Sequence, residues 1–261
     1  MRSLAVNADD FGFTSDVNEG IVEAHVKGIL TSTTLMATGA AFDGAVRLAK
    51  QHPSLDIGCH LVLVGEPGFP PTIPKFLEAV ARKRLHVYDE LAAQVRRIVD
   101  AGLHPTHLDT HKHTHLLPAV LRAVIRVSEE FRIPWIRRPF DFPLQPGGIP
   151  WKRRMVNRAI SAVRGRSERL LQKHGCRFTD HFAGFQLTGY YDGAMLVTLI
   201  RSLPEGSTEF MCHPGHCGAE LRGARTRLKE SREQELLALT APEVRAAIAE
   251  ANVRLAPFSQ L

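Results

Sequence analysis

The chain of 261 residues has only four cysteines, Cys59, Cys176, Cys212 and Cys217, too few for a disulfide scaffold at this length. Three of them stand beside a histidine, so reduced thiols or a metal site are the uses left open. No run approaches the ~20 apolar residues that a membrane-spanning helix requires, which rules out a helical span. The first thirteen residues lack a cationic region followed by an apolar stretch, and Asp9-Asp10 interrupts them, so a secretory leader is excluded and a cytoplasmic location is expected. Internal repeats, low-complexity segments and linkers are also missing, so the length reads as one domain of the size common among α/β barrels.

What is present is an ordinary globular composition, 44% hydrophobic and 23% charged, enough to bury a full core. Lys plus Arg number 33 against 27 Asp plus Glu, a net charge of +6 that permits contact with phosphates, nucleic acid or an anionic membrane without requiring any of them. The thirteen histidines are the more informative count, because imidazole is the commonest metal ligand and titrates near neutral pH.

Short β-branched or aliphatic runs alternate with longer amphipathic runs almost end to end, the rhythm of a parallel sheet or barrel with helices outside. Strands are expected at 4–8, 33–37, 56–61, 106–110, 135–138, 182–187, 208–212 and 253–256. Helices are expected between them, for example 16–27 before Gly28 and 88–101 before Gly102. The stretch from 151 to 177 carries nine cations opposed only by Glu168, with Trp151, Met155, Val156, Ala159, Ile160, Val163, Leu170 and Leu171 near helical spacing. It reads as a basic amphipathic helical insertion, broken at Gly165. Its apolar stripe belongs either in the core, as on most surface helices, or against an anionic membrane or amphiphilic substrate.

Several expected strands run apolar and then end on ionisable groups: Asp9 and Asp10, His60, Asp109 and His111, Arg137, and His213. Ligands of parallel α/β folds bind at the C-terminal ends of the strands, so these groups should converge on one mouth. Adjacent Asp9 and Asp10 repel unless a cation or shared proton offsets them. In the HKHTH run, His111, His113 and His115 share one face if the strand persists, and His111 and His115 sit one turn apart if a helix has begun. His60, combined with an acid and a second imidazole at neighbouring strand ends, completes a two-histidine, one-carboxylate face with open positions for water and substrate. Cys212-His213-Pro214-Gly215-His216-Cys217 competes as a structural zinc cluster, but a strand ending there points Cys212 and His213 to opposite faces, and His213 is preferred as an acid or base over the pocket.

The motifs NADDFG (7–12), TSTTLM (31–36), IGCHLVL (57–63), THLDTHKHTH (106–115) and MCHPG (211–215), in this order and spacing, resemble the YdjC-like carbohydrate deacetylase family. HLVLVGEPG and THLDTHKHTHLLP are most similar to the members associated with hopanoid biosynthesis (HpnK). The resemblance implies an irregular TIM-type barrel, one divalent metal ion, and hydrolysis of the N-acetyl group of an amino sugar, with a lipid-linked glycosylated hopanoid as the favoured substrate and a chitooligosaccharide as the alternative. Carried over by residue, Asp10, His60 and His111 match the metal ligands, Asp9 a general base and His213 a general acid. Arg137, His113 and His115 match family positions with substrate-binding or supporting roles. The family's metal is often given as magnesium, whereas two imidazoles and a carboxylate suit zinc, manganese, iron or cobalt by softness. Peripheral contact with the inner membrane surface and a homodimer stay open as partners, and no nucleic acid is expected. The rivals are a glycosidase or other hydrolase on the same barrel and a non-enzymatic binder using the basic helix.

Overall fold

The aliphatic runs become strands and the amphipathic runs become helices wrapped around them. In the computed structural model, which describes residues 1–144 and 149–261, the order is β1 (Arg2–Phe11), α1 (Ser15–Lys27), β2 (Ser32–Leu35), α2 (Phe42–Gln51), β3 (Asp56–Leu61), α3 (Ile73–Ala81), α4 (Val87–Asp100) and β4 (His107–Thr110). It continues with α5 (Pro118–Phe131), β5 (Trp135–Ile136), α6 (Trp151–Ser161), α7 (Arg164–Lys173), β6 (His181–Ala183), α8 (Gly193–Arg201) and β7 (Gly206–Cys212). The chain ends with α9 (Ala219–Gly223), α10 (Glu230–Thr240), α11 (Pro242–Glu250) and β8 (Val253–Leu255).

The strands follow the path β5-β4-β3-β2-β1-β7-β6, every pair parallel. β8 and β2 share one edge of β1, β8 pairing with Arg2 to Leu4 and β2 with Asn7 onward. Between β5 and β6, only two isolated bridges among the described residues span the gap, Trp135 with Arg177 and Asp141 with Phe182. The result is an α/β fold of irregular TIM type, a curled parallel sheet surrounded by helices. β1 is buried along almost its whole length, as parallel strands covered on both faces are, and its Leu4, Val6 and Ala8 join Ile21 of α1, Ile57 of β3 and Phe210 of β7 in one core.

Each expected strand has a counterpart, and two of them keep only half of their expected length. The strand expected at 182–187 ends at Ala183, because Gly184 at φ +128° turns the chain and Leu187 donates back to its carbonyl. The strand expected at 135–138 keeps its ladder only through Ile136. The basic stretch forms two helices, and they part at Ala162 and Val163 rather than at Gly165, which lies inside α7. Its apolar residues are not core: no residue of α6 is buried, and in α7 only Leu171 is. No helix among the described residues is long and apolar enough to cross a membrane.

Candidate active site

Adjacent residues of a regular strand point to opposite faces, yet Asp9 and Asp10 both reach the C-terminal mouth of the barrel. The register of β1 against β2 shifts between Ala8 and Phe11, and Asp10 takes a left-handed φ of 71°. A non-glycine residue held there stores strain that recurs at functional sites. The two carboxylates are then separated by different cations: Arg137 grips Asp9 through both its terminal nitrogens, at 2.7 and 2.6 Å, and Arg232 of α10 donates to Asp10 Oδ2.

Asp10 Oδ1 faces two imidazoles. It lies 3.3 Å from His60 Nε2 and 3.4 Å from His111 Nδ1, which are themselves 3.2 Å apart. Three donors bound at ~2.1 Å to one ion stand about 3.0 Å apart in octahedral and about 3.4 Å apart in tetrahedral geometry, so the spacing fits a shared metal. Asp10 Oδ1 is buried and has no hydrogen-bond partner, as a lone pair reserved for a cation would be. Burial acts to raise the Asp10 pKa, but the charge of Arg232 and the adjoining imidazoles of His111 and His60 hold it well below the usual carboxylate range. Behind His60, Asp109 Oδ1 accepts from Nδ1 at 2.7 Å, which directs the Nε2 lone pair toward Asp10 and His111. Thr34 Oγ1 donates to the other oxygen of Asp109 at 3.1 Å.

Arg137 is the hub that holds these carboxylates in register. Besides Asp9 it contacts Asp109 Oδ2 at 2.6 Å and Glu209 Oε1 at 2.6 Å, all four side chains being buried. Burial lifts Glu209 to about 7 in spite of Arg137, so near neutrality this third carboxyl is partly protonated. Asp9, Asp10, Asp109 and the partly ionised Glu209 outnumber Arg137 and Arg232, an excess of acid that outweighs burial in raising His60 above the ordinary imidazole range and that a bound cation would offset.

His213 follows β7 and sits with Nε2 3.8 Å from Asp9 Oδ2. Its backbone amide donates to Glu235 of α10 at 2.6 Å, and its Nδ1 has no partner. A Cβ on Gly20 of α1 would stand 2.4 Å from Gly215 Cα, so only glycine lets the His213-Pro214-Gly215 turn pack this closely against α1. Burial pushes His213 down to about 4, against the pull of Asp9 and Asp10, and the ring is neutral at neutral pH. His111, Lys112 and His113 belong neither to a strand nor to an α-helix: a 3-10 turn runs from His111 to Leu116, with Lys112 and His113 left-handed. That turn aims His111 and His113 into the cavity, while His115 faces inward to Thr110 Oγ1 at 2.6 Å and does not line it.

The cavity measures about 660 Å³, within the range of small-molecule sites. Its floor is Asp9, Asp10, His60, His111 and His213, and its apolar walls include Phe13, Phe185 and Leu228. Cations crowd the rim: Lys112, Lys152, Arg153, Arg225 and Arg227. The Cys212-to-Cys217 zinc cluster does not form among the described residues: Cys212 Sγ contacts the Asn7 carbonyl at 3.3 Å, and His216 pairs with Glu23 at 3.0 Å.

The model of the family described as YdjC-like protein matches residues 3–250. This chain belongs to the YdjC-like family. It is 35% identical over 270 residues to a carbohydrate deacetylase of Brevibacillus brevis, covering 99% of each chain. It is 32% identical over 272 residues to a chitooligosaccharide deacetylase of Klebsiella pneumoniae, covering 98% of each. A solved protein of Enterococcus faecalis V583, named for cellobiose-phosphate cleavage, superposes at a TM-score of 0.75 with 25% identity over 99% of this chain and 98% of that one.

Of the eight residues that the sequence pattern singles out in this YdjC-like chain, the fold gathers Asp9, Asp10, His60, His111, His113, Arg137 and His213 at one mouth, while His115 lies behind it against Thr110. Three participants escaped that pattern. Glu209 carried a signal, a lone carboxylate between Thr208 and Phe210 in a buried strand. Arg232 and Glu235 carried none, because α10 is polar in its first half and apolar in its second, with no stripe that marks these two as buried.

Proposed function

We propose that this protein is a metal-dependent hydrolase that removes the N-acetyl group from an N-acetylated amino sugar. The observation that carries the reading is the triangle of Asp10 Oδ1, His60 Nε2 and His111 Nδ1, open toward a 660 Å³ cavity and flanked by Asp9 and His213. The names of its relatives favour the same chemistry.

A divalent ion held by these three residues would supply Lewis acidity toward the acetamide carbonyl and the attacking water. Its donors, one carboxylate and two imidazoles, suit zinc, manganese, iron or cobalt better than magnesium. Asp9 is the base: pinned by Arg137, it cannot swing, and its Oδ2 is also the oxygen nearest His213. Nitrogen leaves poorly as an anion, so the departing amine needs a proton, and His213 delivers it. Because His213 rests neutral, the proton it gives is the one Asp9 takes from water, passed across their 3.8 Å gap. The atoms balance: hydroxyl joins the acetyl carbon, the proton joins nitrogen, and acetate leaves.

His113 lines the cavity with its ring 5.5 Å from Phe185, while Arg137 and His115 act by holding neighbours in place. A glycosidase would need two free carboxylates facing across a sugar ring, and here Asp9 is locked by Arg137 while Asp10 is shared with two imidazoles. The finer reading is a lipid-linked substrate such as a glycosylated hopanoid, with chitooligosaccharide as the alternative. Acetate release from N-acetylglucosamine, chitobiose and an N-acetylglucosaminyl lipid by chelator-treated and metal-reloaded protein tests both levels. Turnover only after reloading is expected, and equal turnover without metal refutes the proposal.

A further inference from the structure

An ordinary surface helix turns its apolar stripe inward and its charges outward, whereas α6 carries large apolar side chains on its outward face among the charges. Its inward side is Arg153, Asn157 and Ile160, all half-buried, and Arg153 anchors it by donating to the carbonyls of Gln186 and Thr188 at 3.0 and 2.7 Å. Its outward crest is Trp151, Met155 and Ala159, at i, i+4 and i+8, with Trp151 69% and Met155 58% exposed. Exposed Arg154 and Arg158 flank the crest, and the helix contains no acidic residue. The other edge, Lys152 and Val156, lines the rim of the cavity.

The geometry points to α6 as an interfacial helix that seats the protein on an anionic phospholipid bilayer and brings the cavity mouth to the headgroup level. Two features select this occupant. Cations without a single acid complement a negative surface and disfavour a second copy of the same positively charged helix. Met155 and Ala159 offer no plane on which a nucleic-acid base could stack, and together with Trp151 they fit the boundary between headgroups and acyl chains, where tryptophan is favoured. The docking face does not depend on the reaction, while its use in reaching a lipid-linked sugar rests on that reading of the substrate.

The test uses the full chain and vesicles of phosphatidylcholine with or without phosphatidylglycerol. Wild type should co-sediment with the anionic vesicles, release with added salt, and show a blue shift of tryptophan emission assignable to Trp151, since Trp135 is buried. Arg154→Gln with Arg158→Gln should weaken partitioning about 25-fold, at roughly fivefold per cation near the surface. Trp151→Ser with Met155→Ser should abolish the shift and the binding. Both double variants alter exposed side chains outside the cavity lining, so turnover of a soluble chitooligosaccharide should stay at the wild-type level. Equal binding to neutral vesicles, undiminished binding of the Trp151→Ser/Met155→Ser protein, or a vesicle-free dimer that this variant dissolves would each overturn the proposal. Absent vesicle binding with intact deacetylation overturns the docking face alone, and vesicle binding without deacetylation overturns the assigned reaction alone.

Discussion

Arg137→Met would leave Asp9, Asp109 and Glu209 buried around an apolar side chain. Removing one partner of a buried ion pair typically costs ~3–5 kcal/mol, because the remaining charge has lost both water and its counterion. Against a total stability of ~5–15 kcal/mol this is a large share. At ~2–4 °C per kcal/mol for a chain of this size, Tm should fall by roughly 6–20 °C. The loss has a pH signature. Glu209 is already pushed up to about 7 with Arg137 present, and without it the carboxyl holds its proton more firmly, so the deficit should be smaller at pH 6 than at pH 8. Glu209→Gln, nearly silent in the wild-type background at pH 6, should recover part of the stability of Arg137→Met by removing one of the three acids. Arg137→Lys should fall between, because one ammonium cannot grip Asp9 with two nitrogens while reaching Asp109 and Glu209. Urea unfolding of metal-free protein at both pH values is the assay. A deficit under ~1 kcal/mol, the scale of an exposed pair, would refute the hub, as would a Glu209→Gln change that fails to suppress it.

The other outcomes are equally specific. Asp9→Asn and His213→Ala should each retain metal while kcat drops by about 10²- to 10⁴-fold, measured by acetate release beside elemental analysis; unaltered kcat in either would remove its proton-transfer role. Arg232→Leu frees Asp10 Oδ2 and should weaken metal affinity about 10- to 100-fold, read by competition with a chromogenic chelator. His107 and His115 are lowered by burial from 6.5 to about 4, so the stability they contribute is fully present above pH 6.5 and is lost as pH falls toward 4. His107→Gln should flatten that part of the urea-midpoint profile by about 3 kcal/mol, and an unchanged slope would contradict the burial argument.

The barrel and most of its mouth were legible in the sequence for one physical reason. Parallel strands buried on both faces read as apolar runs, and the groups that terminate them, Asp10, His60, His111, Arg137 and His213, stand out against them. What was not legible depended on backbone geometry or distant packing. The bulge that turns Asp9 and Asp10 the same way, and the left-handed Lys112 and His113, occur where no glycine marks a positive φ in the sequence. Arg232 reaches Asp10 across 222 residues of sequence from a helix whose pattern is uninformative. The apolar residues of α6 followed helical spacing, but spacing alone does not say whether a stripe faces the core or the solvent, and here it faces outward.

The central claim is that Asp10, His60 and His111 hold one divalent ion beside Asp9 and His213. Calorimetric titration of chelator-treated protein with zinc or manganese tests it most directly. The account predicts one ion per chain, with binding lost in each of Asp10→Ala, His60→Ala and His111→Ala while the three variants remain folded by circular dichroism. Folded variants that still bind one ion with wild-type affinity would contradict it.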